Sequence, residues 1–407
     1  MFCTKRTFTF ESWPPKKRST GPRTPVVYRL ENDVWGPVSE FAGRDNTNNL
    51  ALSSVRLNSV LSRRHKEIVI QNAKRLDQWM ELYSHVPFCE ACVTIPPTDQ
   101  YSLNSMVNFL SAHATLHTLR LKLERHDISH DGAKHLAGLG TSTTLHTLKL
   151  DLFGNNVGLE GAKALAGLRE SATLRTLTLS LADNSIGDAG AGVLVTQGTF
   201  EKLHTLTLTL GMNKICDTGA ELLATLRTLR KLHTLTLNLY YNSIGAAGAK
   251  ALATLGTSTM LHTLTLNLSG NKIKDAGAEA LATLKTSTTL HELTLALRRC
   301  EIRDAGAEAL ATLRTSTMLR LLLLDLKMNE ISDAGAEALA TLGRSTKLSL
   351  ILDLGDNKIN DAGLKALAAM ETSGILHLDL DVTPPNRFSP IMGFSASLRL
   401  VTGNFTL

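Results

Sequence analysis

The hydrophobic pattern of the chain changes its period within short stretches and then starts again. In residues 261–289, Leu264, Leu266 and Leu268 alternate with polar residues, which is the period-two pattern of a half-buried strand. Further along the same stretch, Leu281 and Leu284 belong to an apolar series that recurs every third position. That spacing is typical of an amphipathic helix. The stretch therefore predicts a strand, a turn and a helix in that order.

This unit repeats along the chain with a fixed period. A repeat of 20–50 residues indicates a solenoid, in which each unit buries its apolar face against its neighbours. One unit has no room for two paired strands, so the strands must pair in parallel between units. We predict an α/β fold: a curved, horseshoe-shaped solenoid of nine to ten 29-residue repeats, with a parallel β-sheet on the concave side and helices on the convex side. The period is set by nine glycines, separated by seven intervals of 29 residues and a last one of 28: Gly132, Gly161, Gly190, Gly219, Gly248, Gly277, Gly306, Gly335 and Gly363.

An aspartate precedes the helical part of most units. A side-chain oxygen at this place can accept a hydrogen bond from the free N–H groups of the first helical turn. We therefore expect each aspartate to cap the helix that follows it in the sequence. The aspartates are Asp188, Asp217, Asp275, Asp304, Asp333 and Asp361.

The motif of the unit resembles a known family. The order L-x-L-x-x-N-x-I, followed by Gly six residues after the Asn and Leu four later, resembles the leucine-rich repeat over residues 103–382. The 28–29-residue length resembles the ribonuclease-inhibitor-like subtype, and the GAxALAxL helix is similar to the repeats of NOD-like receptors. The resemblance implies that the Asn side chains form a ladder with the backbone of adjoining turns. Seven positions match and two, His126 and Cys300, depart; the matches are Asn155, Asn184, Asn213, Asn242, Asn271, Asn329 and Asn357.

Four segments follow from the pattern. Residues 1–44 form a basic tail, which we expect to be disordered, and residues 45–102 predict a helical N-terminal cap. The solenoid occupies residues 103–382, and residues 383–407 form a C-terminal cap. The strand half of the unit that begins at residue 103 is missing from the pattern.

The net charge of +6 comes from the tail. Residues 1–29 contain seven Lys or Arg and one Glu, so the remaining residues sum to zero. The solenoid is therefore not a basic nucleic-acid platform, and nucleic acid would bind only through the tail. The tail itself fits a nuclear localisation signal, a transit peptide or a basic arm without structure, and the last is favoured because such stretches are common.

The cellular setting follows from what the sequence omits. No apolar run is long enough to cross a bilayer, and residues 1–30 have no signal-peptide core. Five cysteines leave one unpaired in any scheme, which favours a reducing, intracellular setting. We expect a cytoplasmic rather than a nuclear monomer that does not bind membranes.

Candidate chemistry is sparse. Cys89 and Cys92 with His85 would supply part of a zinc site, but no second pair lies nearby in the sequence, and structural zinc needs four ligands. His204, His233 and His262 recur at one repeat position and are expected to stack, which copying of the unit explains without metal chemistry. No phosphate-binding loop or nucleophile elbow occurs. We therefore expect no enzyme activity, no cofactor and no metal.

Residues that depart from the repeat are better candidates for function. The outward strand positions and the turn after each strand are basic near the N-terminal end and acidic near the C-terminal end, with a Tyr, Arg and Met cluster between them. Tyr and Arg are enriched in binding hot spots. We expect a concave-face site for a folded protein partner. Its candidate residues are Arg120, Lys122, Met212, Tyr240, Tyr241, Arg298, Arg299, Lys327 and Met328.

A second function stays open. Ribonuclease inhibitor and the Ran GTPase-activating protein have repeats of the subtype that this chain resembles. The resemblance therefore implies regulation of an enzyme, by inhibition or by GTPase activation, as the alternative to a scaffold.

Overall fold

The computed structural model describes residues 67–70, 80, 84, 88–94, 102–196, 202–370 and 375–379. The predicted tail, the predicted C-terminal cap and most of the predicted N-terminal cap lie outside these residues. Within them, twelve parallel strands form one sheet, and their order in the sheet is their order in the chain. The predicted α/β solenoid is therefore confirmed.

The strands are four or five residues long. They are β1 Glu67–Ile70, β2 Glu90–Thr94, β3 Thr118–Lys122, β4 Thr147–Asp151, β5 Thr176–Ser180, β6 Thr205–Thr209, β7 Thr234–Asn238, β8 Thr263–Asn267, β9 Glu292–Ala296, β10 Leu321–Asp325, β11 Ser349–Asp353 and β12 Ile375–Asp379.

A helix follows each strand from β2 to β11. The helices are α1 Leu103–Ala112, α2 His130–Ala137, α3 Gly158–Leu165, α4 Gly187–Thr196, α5 Asp217–Ala224, α6 Ala246–Ala253, α7 Lys274–Ala282, α8 Asp304–Ala311, α9 Asp333–Ala340 and α10 Asp361–Ala368. Short 3₁₀ turns such as Thr283–Thr286 follow most of them. We number each unit by its strand, so that unit 3 contains β3 and α2, and unit 11 contains β11 and α10.

Two strands correct the prediction for residues 45–102. Glu67–Ile70 and Glu90–Thr94, which lie inside the predicted helical cap, are β1 and β2 of the same sheet. Glu90 pairs with Thr118 in register, so β2 is the strand half that the sequence pattern did not show for the unit of α1. The signal was weak because the strand sequence EACVT contains no leucine.

The core is a continuous column of leucine side chains between sheet and helices. In unit 8, Leu264 and Leu266 point inward from the strand and Leu281 from the helix, and each is fully buried. Burial of one such side chain stabilises the fold by about 1.5–3 kcal/mol. Because every unit repeats these positions, each unit is stabilised mainly by its two neighbours.

The asparagine ladder implied by the resemblance is confirmed. In unit 8 the Asn271 amide Nδ2 donates to Leu239 O of unit 7 at 2.9 Å and to Leu268 O of its own unit at 2.9 Å. Its Oδ1 accepts from Ile244 N at 3.0 Å. The side chain therefore joins two consecutive turns, where buried backbone groups need partners.

The two ladder positions without asparagine, His126 and Cys300, keep part of the hydrogen bonding of the ladder. The Cys300 thiol donates to Leu268 O at 3.2 Å, and burial raises the pKa of Cys300 to about 12, so the thiol keeps its proton. In the first rung, His126 Nδ1 lies 2.9 Å from Glu124 O in the same turn. The His126 backbone N–H still donates to Asn155 Oδ1 at 2.9 Å.

The aspartates cap a different helix from the one predicted. Asp304 Oδ1 accepts hydrogen bonds from Ser332 N at 2.7 Å and Gly335 N at 3.0 Å, both in the following unit. A Cβ on Gly335 would lie 2.6 Å from that same oxygen. In every unit a Cβ on the periodic glycine would also press on the branched Ile or Val side chain four residues earlier, as on Ile331 at 2.7 Å. The periodic glycine is therefore explained by this close packing, to which the preceding unit's carboxylate adds where it is present. Equivalent bonds join Asp188, Asp217, Asp275 and Asp333 to the unit after each.

Candidate functional site

The outward side chains of the strands form the concave face. Strand residues alternate between buried and partly exposed, so Thr234 and Thr236 of β7 face outward and Leu235 and Leu237 face the core. The middle of this face consists mainly of threonine. The candidate side chains on strands, Arg120 and Lys122, lie at outward positions of β3.

The N-terminal end of the face mixes charges of both signs. Arg120 lies in register with Lys149 of β4, while Lys122 lies in register with Asp151. Burial raises the pKa of Glu124, and the neighbouring Asp151 raises it further. Arg120 and Lys122 lie on β3, four strands or about 19 Å from β7. The structure therefore does not bring them to the Tyr and Arg residues of the middle units.

The residue before each ladder position has an unusual backbone. It has a positive φ, between 48° and 71°, in every unit from 3 to 11. A residue other than glycine pays about 1–2 kcal/mol to adopt this left-handed conformation. The positions project from the rim at which the strands end, which we call the strand-end rim. They are Arg125, Gly154, Asp183, Met212, Tyr241, Gly270, Arg299, Met328 and Asp356.

Three side chains of this row are joined across four units. Arg299 donates from its guanidinium to the Tyr241 hydroxyl at 3.2 Å and to the Met328 sulfur at 3.1 Å. Gly270 stands between Tyr241 and Arg299 in the row, and a Cβ there would lie 2.5 Å from Tyr241 Cδ1. The tyrosine ring therefore uses the space that the glycine leaves in order to reach the arginine two units away.

The Tyr240 ring points toward unit 6, whereas the Tyr241 ring points toward unit 9. The Tyr240 ring covers Gly211 of unit 6, where a Cβ would overlap the ring. The rings of Tyr240 and Tyr241 meet edge to face, with centroids 5.9 Å apart. Burial raises the pKa of Tyr240, and the nearby Asp183 adds to the shift. The two tyrosines thus support each other in a fixed arrangement.

We call Met212, Tyr240, Tyr241, Arg299 and Met328 the rim cluster. Met212 is 45 % exposed and Tyr241 is 53 % exposed, and they are the exposed large apolar side chains of the described residues.

The remaining candidates are less open. Arg298 is half-buried beside the acidic position Asp325. Lys327 forms an ion pair with Asp356 at 3.6 Å and is only 19 % exposed. Both side chains are therefore engaged within the protein at the edge of the rim cluster.

Sequence reasoning missed the two glycines that seat the tyrosines. Gly211 and Gly270 occupy rim positions at which other units carry large or charged residues. The sequence does show a glycine in the unit next to each tyrosine. This pairing could not be interpreted without knowing the direction in which each ring points.

The other candidate chemistry lies away from this cluster. Cys92 is in register with Arg120 on the concave face. No group of three metal-ligating side chains occurs among the residues that the structure describes. The predicted histidine stack is confirmed: His204, His233 and His262 have ring centroids 5.4 Å apart at the edge at which the strands begin.

Comparison with known proteins agrees with this architecture. A family model described as "Leucine Rich repeat" matches residues 144–166, 173–195, 231–253, 261–282, 286–311, 321–340 and 350–368. The seven matched units are leucine-rich repeats. The family model does not match unit 6. Its strand β6 nevertheless pairs with β5 and β7 in the same register as the other strands. No curated protein matches the sequence closely enough to be called a relative.

Several solved leucine-rich-repeat and other structures are similar to the chain. The yeast complex of Rad7 and Elc1 contains a chain with 16 % identity and a TM-score of 0.46, over 88 % of this chain and 90 % of that one. The internalin InlF from Listeria monocytogenes has 20 % identity and a TM-score of 0.41, over 73 % and 81 %. The leucine-rich repeat-containing protein LegL7 from Legionella pneumophila has 14 % identity and a TM-score of 0.44, over 76 % and 99 %.

Leucine-rich repeats are typical of protein-interaction scaffolds. In the part of this leucine-rich-repeat chain that the structure describes, no helix is long and apolar enough to span a membrane.

Proposed function

We propose that the protein is an interaction scaffold that holds a folded protein partner against its concave face and strand-end rim, with the rim cluster as anchor. The observation that carries this proposal is the joined group of Tyr241, Arg299 and Met328 on an exposed rim. Tyr and Arg dominate binding hot spots because they cover large areas and still offer polar groups.

Pre-organisation supports the anchor. A side chain that is ordered on binding costs about 0.5–1.5 kcal/mol. The Tyr241 hydroxyl already accepts a hydrogen bond from Arg299, and its ring packs against the Tyr240 ring and over Gly270. A partner that covers the cluster therefore loses less binding free energy to ordering.

Charge at the C-terminal end of the face defines the partner further. Asp325 and Asp353 lie in register on β10 and β11. Burial raises the pKa of Asp325, and Asp353 adds to this, so a cationic group placed here would relieve the repulsion. We infer a partner that is basic where it faces units 10 and 11, since charge complementarity accelerates association and fixes orientation.

The subtype is part of the proposal. The 29-residue spacing of the strands and the helical return of each unit favour the ribonuclease-inhibitor-like subtype. The helices occupy the convex side in this arrangement, which leaves the concave face open for a partner.

Affinity purification with quantitative mass spectrometry tests the scaffold function. The tagged full chain is compared with the double variant Tyr241→Ala/Arg299→Ala and with Lys250→Ala, an exposed lysine on the convex helix α6 of the same unit as Tyr241. We expect the double variant to lose specific partners that wild type and Lys250→Ala retain. If a correctly folded double variant recovers the same partners, the rim cluster is not the anchor.

A further inference from the structure

The zero net charge of the solenoid hides a separation of charge between its two edges. Each helix runs back from the strand-end rim, so the segments that lead from a helix to the next strand lie at the opposite edge, which we call the strand-start edge. Between residues 166 and 348, the described parts of these segments contain eleven Lys or Arg and one acidic residue, Glu170. Nine of the eleven are exposed; Arg169 is buried and Lys285 is half-buried. The exposed Glu292, which begins β9, adds a second carboxylate at this edge.

The cations of this edge are open. In the middle units, Arg175, Lys202, Arg227, Arg230 and Lys231 are all exposed. None of the five lies within ion-pair distance of a carboxylate among the described residues.

The strand-end rim differs in this respect. Carboxylates accompany the cations of this rim, and several are paired across units, as in Arg303 with Glu330 at 3.1 Å and Lys358 with Glu330 at 3.5 Å, although Lys214 and Lys272 are exposed outside such pairs. The cations of the strand-start edge are thus the larger source of uncompensated positive charge on the described surface.

The same edge continues toward the C-terminal units. Arg314, Arg320, Arg344 and Lys347 are exposed in the segments before β10 and β11. From β5 to β11 the edge spans six strand spacings, or about 29 Å. A ligand that uses the whole edge must therefore be extended and must carry many negative charges.

Backbone hydrogen bonds fix the spacing of this edge. The residue before each strand is Arg175, then histidine in four consecutive units, then Arg320. In the middle of this column, the carbonyl of His233 accepts from the N–H groups of His262 and Thr263 at 2.9 and 3.1 Å. The side chains consequently form a regular row of cations and imidazole N–H donors, set by the sheet itself.

The composition of the edge favours nucleic acid over a protein surface. A protein interface needs an apolar core with aromatic anchors. The exposed large apolar side chains of the described residues, Met212 and Tyr241, both lie on the opposite rim. Here the residues between the cations are mainly hydroxyl side chains, as in Thr257, Thr286 and Thr315. Repeated Lys and Arg without an apolar anchor suit a phosphate backbone, which is bound mainly by charge.

We propose that the strand-start edge binds the phosphodiester backbone of nucleic acid without reading its base sequence. This site is independent of the rim cluster, which lies on the other edge. It also differs from binding through the basic tail, because it depends on residues in the segments that precede β5 to β11.

The test uses full-length chains, all of which keep the tail. The edge variant is Arg230→Glu/Lys231→Glu. The matched control is Lys214→Glu/Lys272→Glu, which makes the same charge change on exposed lysines of the strand-end rim in the units on either side of β7. Circular dichroism and thermal unfolding verify that both variants fold like wild type.

Binding is measured by fluorescence anisotropy with labelled DNA of mixed sequence, as a duplex of about 20 base pairs, longer than the edge at about 3.4 Å per base pair, and as the single strand. We expect salt-dependent binding of at least one form. The edge variant should weaken it at least about tenfold, and the slope of log Kd against log salt should fall by about one per lost contact. The control variant should bind within about twofold of wild type.

Four results would overturn the proposal. Neither form of DNA binds at low salt; both variants bind like wild type, which assigns binding to the tail; both lose affinity equally, which assigns it to net charge; or poly-glutamate binds through Arg230 and Lys231 while DNA does not, which assigns the edge to acidic proteins.

Discussion

Lys274 has a left-handed backbone, and the preceding unit carries Ala246 in place of the capping aspartate of most units. Lys274 begins α7 with a φ of 56°. Gly158 and Gly187, which also have positive φ at this position, follow units without that aspartate as well. Where the aspartate is present, the position is extended: Cys216, Gly245, Arg303, Ser332 and Asn360.

We therefore expect Ala246→Asp to stabilise the protein. The N–H groups of Lys274 and Gly277 now donate to Cys300 O at 2.9 Å and Ile273 O at 3.1 Å. The new carboxylate would replace these acceptors with a charged one, as Asp304 accepts from Ser332 and Gly335. Lys274 would then leave the left-handed region. A cap of this kind is worth about 1 kcal/mol, which urea unfolding followed by circular dichroism will measure.

Lys274→Gly provides the control for this mechanism. In the wild-type background it removes the left-handed penalty of lysine and should stabilise by about 1 kcal/mol. In the Ala246→Asp background the position is extended, so the same change should give no gain. Additive effects of the two substitutions would show that the cap and the backbone conformation are not coupled.

These capping bonds show what the sequence does and does not predict. The strands, the helices and the asparagine ladder follow from periodicity, because each unit repeats the same apolar and amide positions. The pattern also identified Asp275 as a cap, but it acts on Arg303 and Gly306 of the next unit. Proximity along the chain favoured its own helix, whereas stacking brings the next helix closer. Likewise, β2 was missed because Ala91 and Val93 replace the leucines.

The rim cluster shows a second limit of the same kind. Position in the repeat placed the tyrosines and arginines near one another, but which of them touch depends on the lean of each side chain. Tyr241 reaches Arg299 across unit 8 because Gly270 leaves the space. Tyr240 turns to Gly211 instead. The direction of each side chain depends on the size of the side chains in neighbouring units. The pattern of one repeat unit does not contain that information.

Gly270→Ala should disturb this contact and destabilise the fold. Alanine must adopt a φ of 71° there, and its Cβ would press on the Tyr241 ring. Gly154→Ala is the matched control, since it has the same place in its unit, a φ of 65° and a Cβ 3.0 Å from the flexible Arg125 side chain. Both changes should cost about 1–2 kcal/mol from the backbone.

Only Gly270→Ala should add the cost of moving Tyr241, and only it should reduce partner recovery in the purification experiment. Equal destabilisation of the two variants, with equal partner recovery, would show that Tyr241 does not depend on the glycine.

Acid should weaken the contribution of Asp304. Burial alone would raise its pKa, but the Ser332 hydroxyl and the N–H groups of Ser332 and Gly335 outweigh this, and the pKa is lowered from its ordinary 3.8. A carboxyl whose pKa is lower in the folded state stabilises the fold fully above its unfolded pKa, and the contribution is lost as the pH falls through the folded pKa.

The stability difference between wild type and Asp304→Asn should therefore be constant above about pH 5 and shrink between about pH 4 and pH 2. Urea midpoints over this range measure it. A difference that stays constant down to the lowest pH would mean that the carboxylate charge plays no part in the cap.

Completing the ladder at Cys300 should stabilise the protein. The Cys300 thiol replaces the donor function of the amide toward Leu268 O, and its sulfur accepts from the N–H of Asn271 in unit 8, but sulfur is a weaker acceptor than an amide oxygen. In the preceding rung, Asn271 Oδ1 accepts from Ile244 N at 3.0 Å. Cys300→Asn should replace the sulfur by a stronger acceptor and raise the free energy of unfolding by about 0.5–1.5 kcal/mol, the net contribution of one hydrogen bond.

The reciprocal change Asn271→Cys is its matched control and should destabilise by a similar amount, because Ile244 N would lose its acceptor. Urea unfolding of the two single variants and of the double variant measures both effects. If Cys300→Asn lowers stability while Asn271→Cys is tolerated, the space around residue 300, rather than the number of hydrogen bonds, determines which side chain this rung accepts.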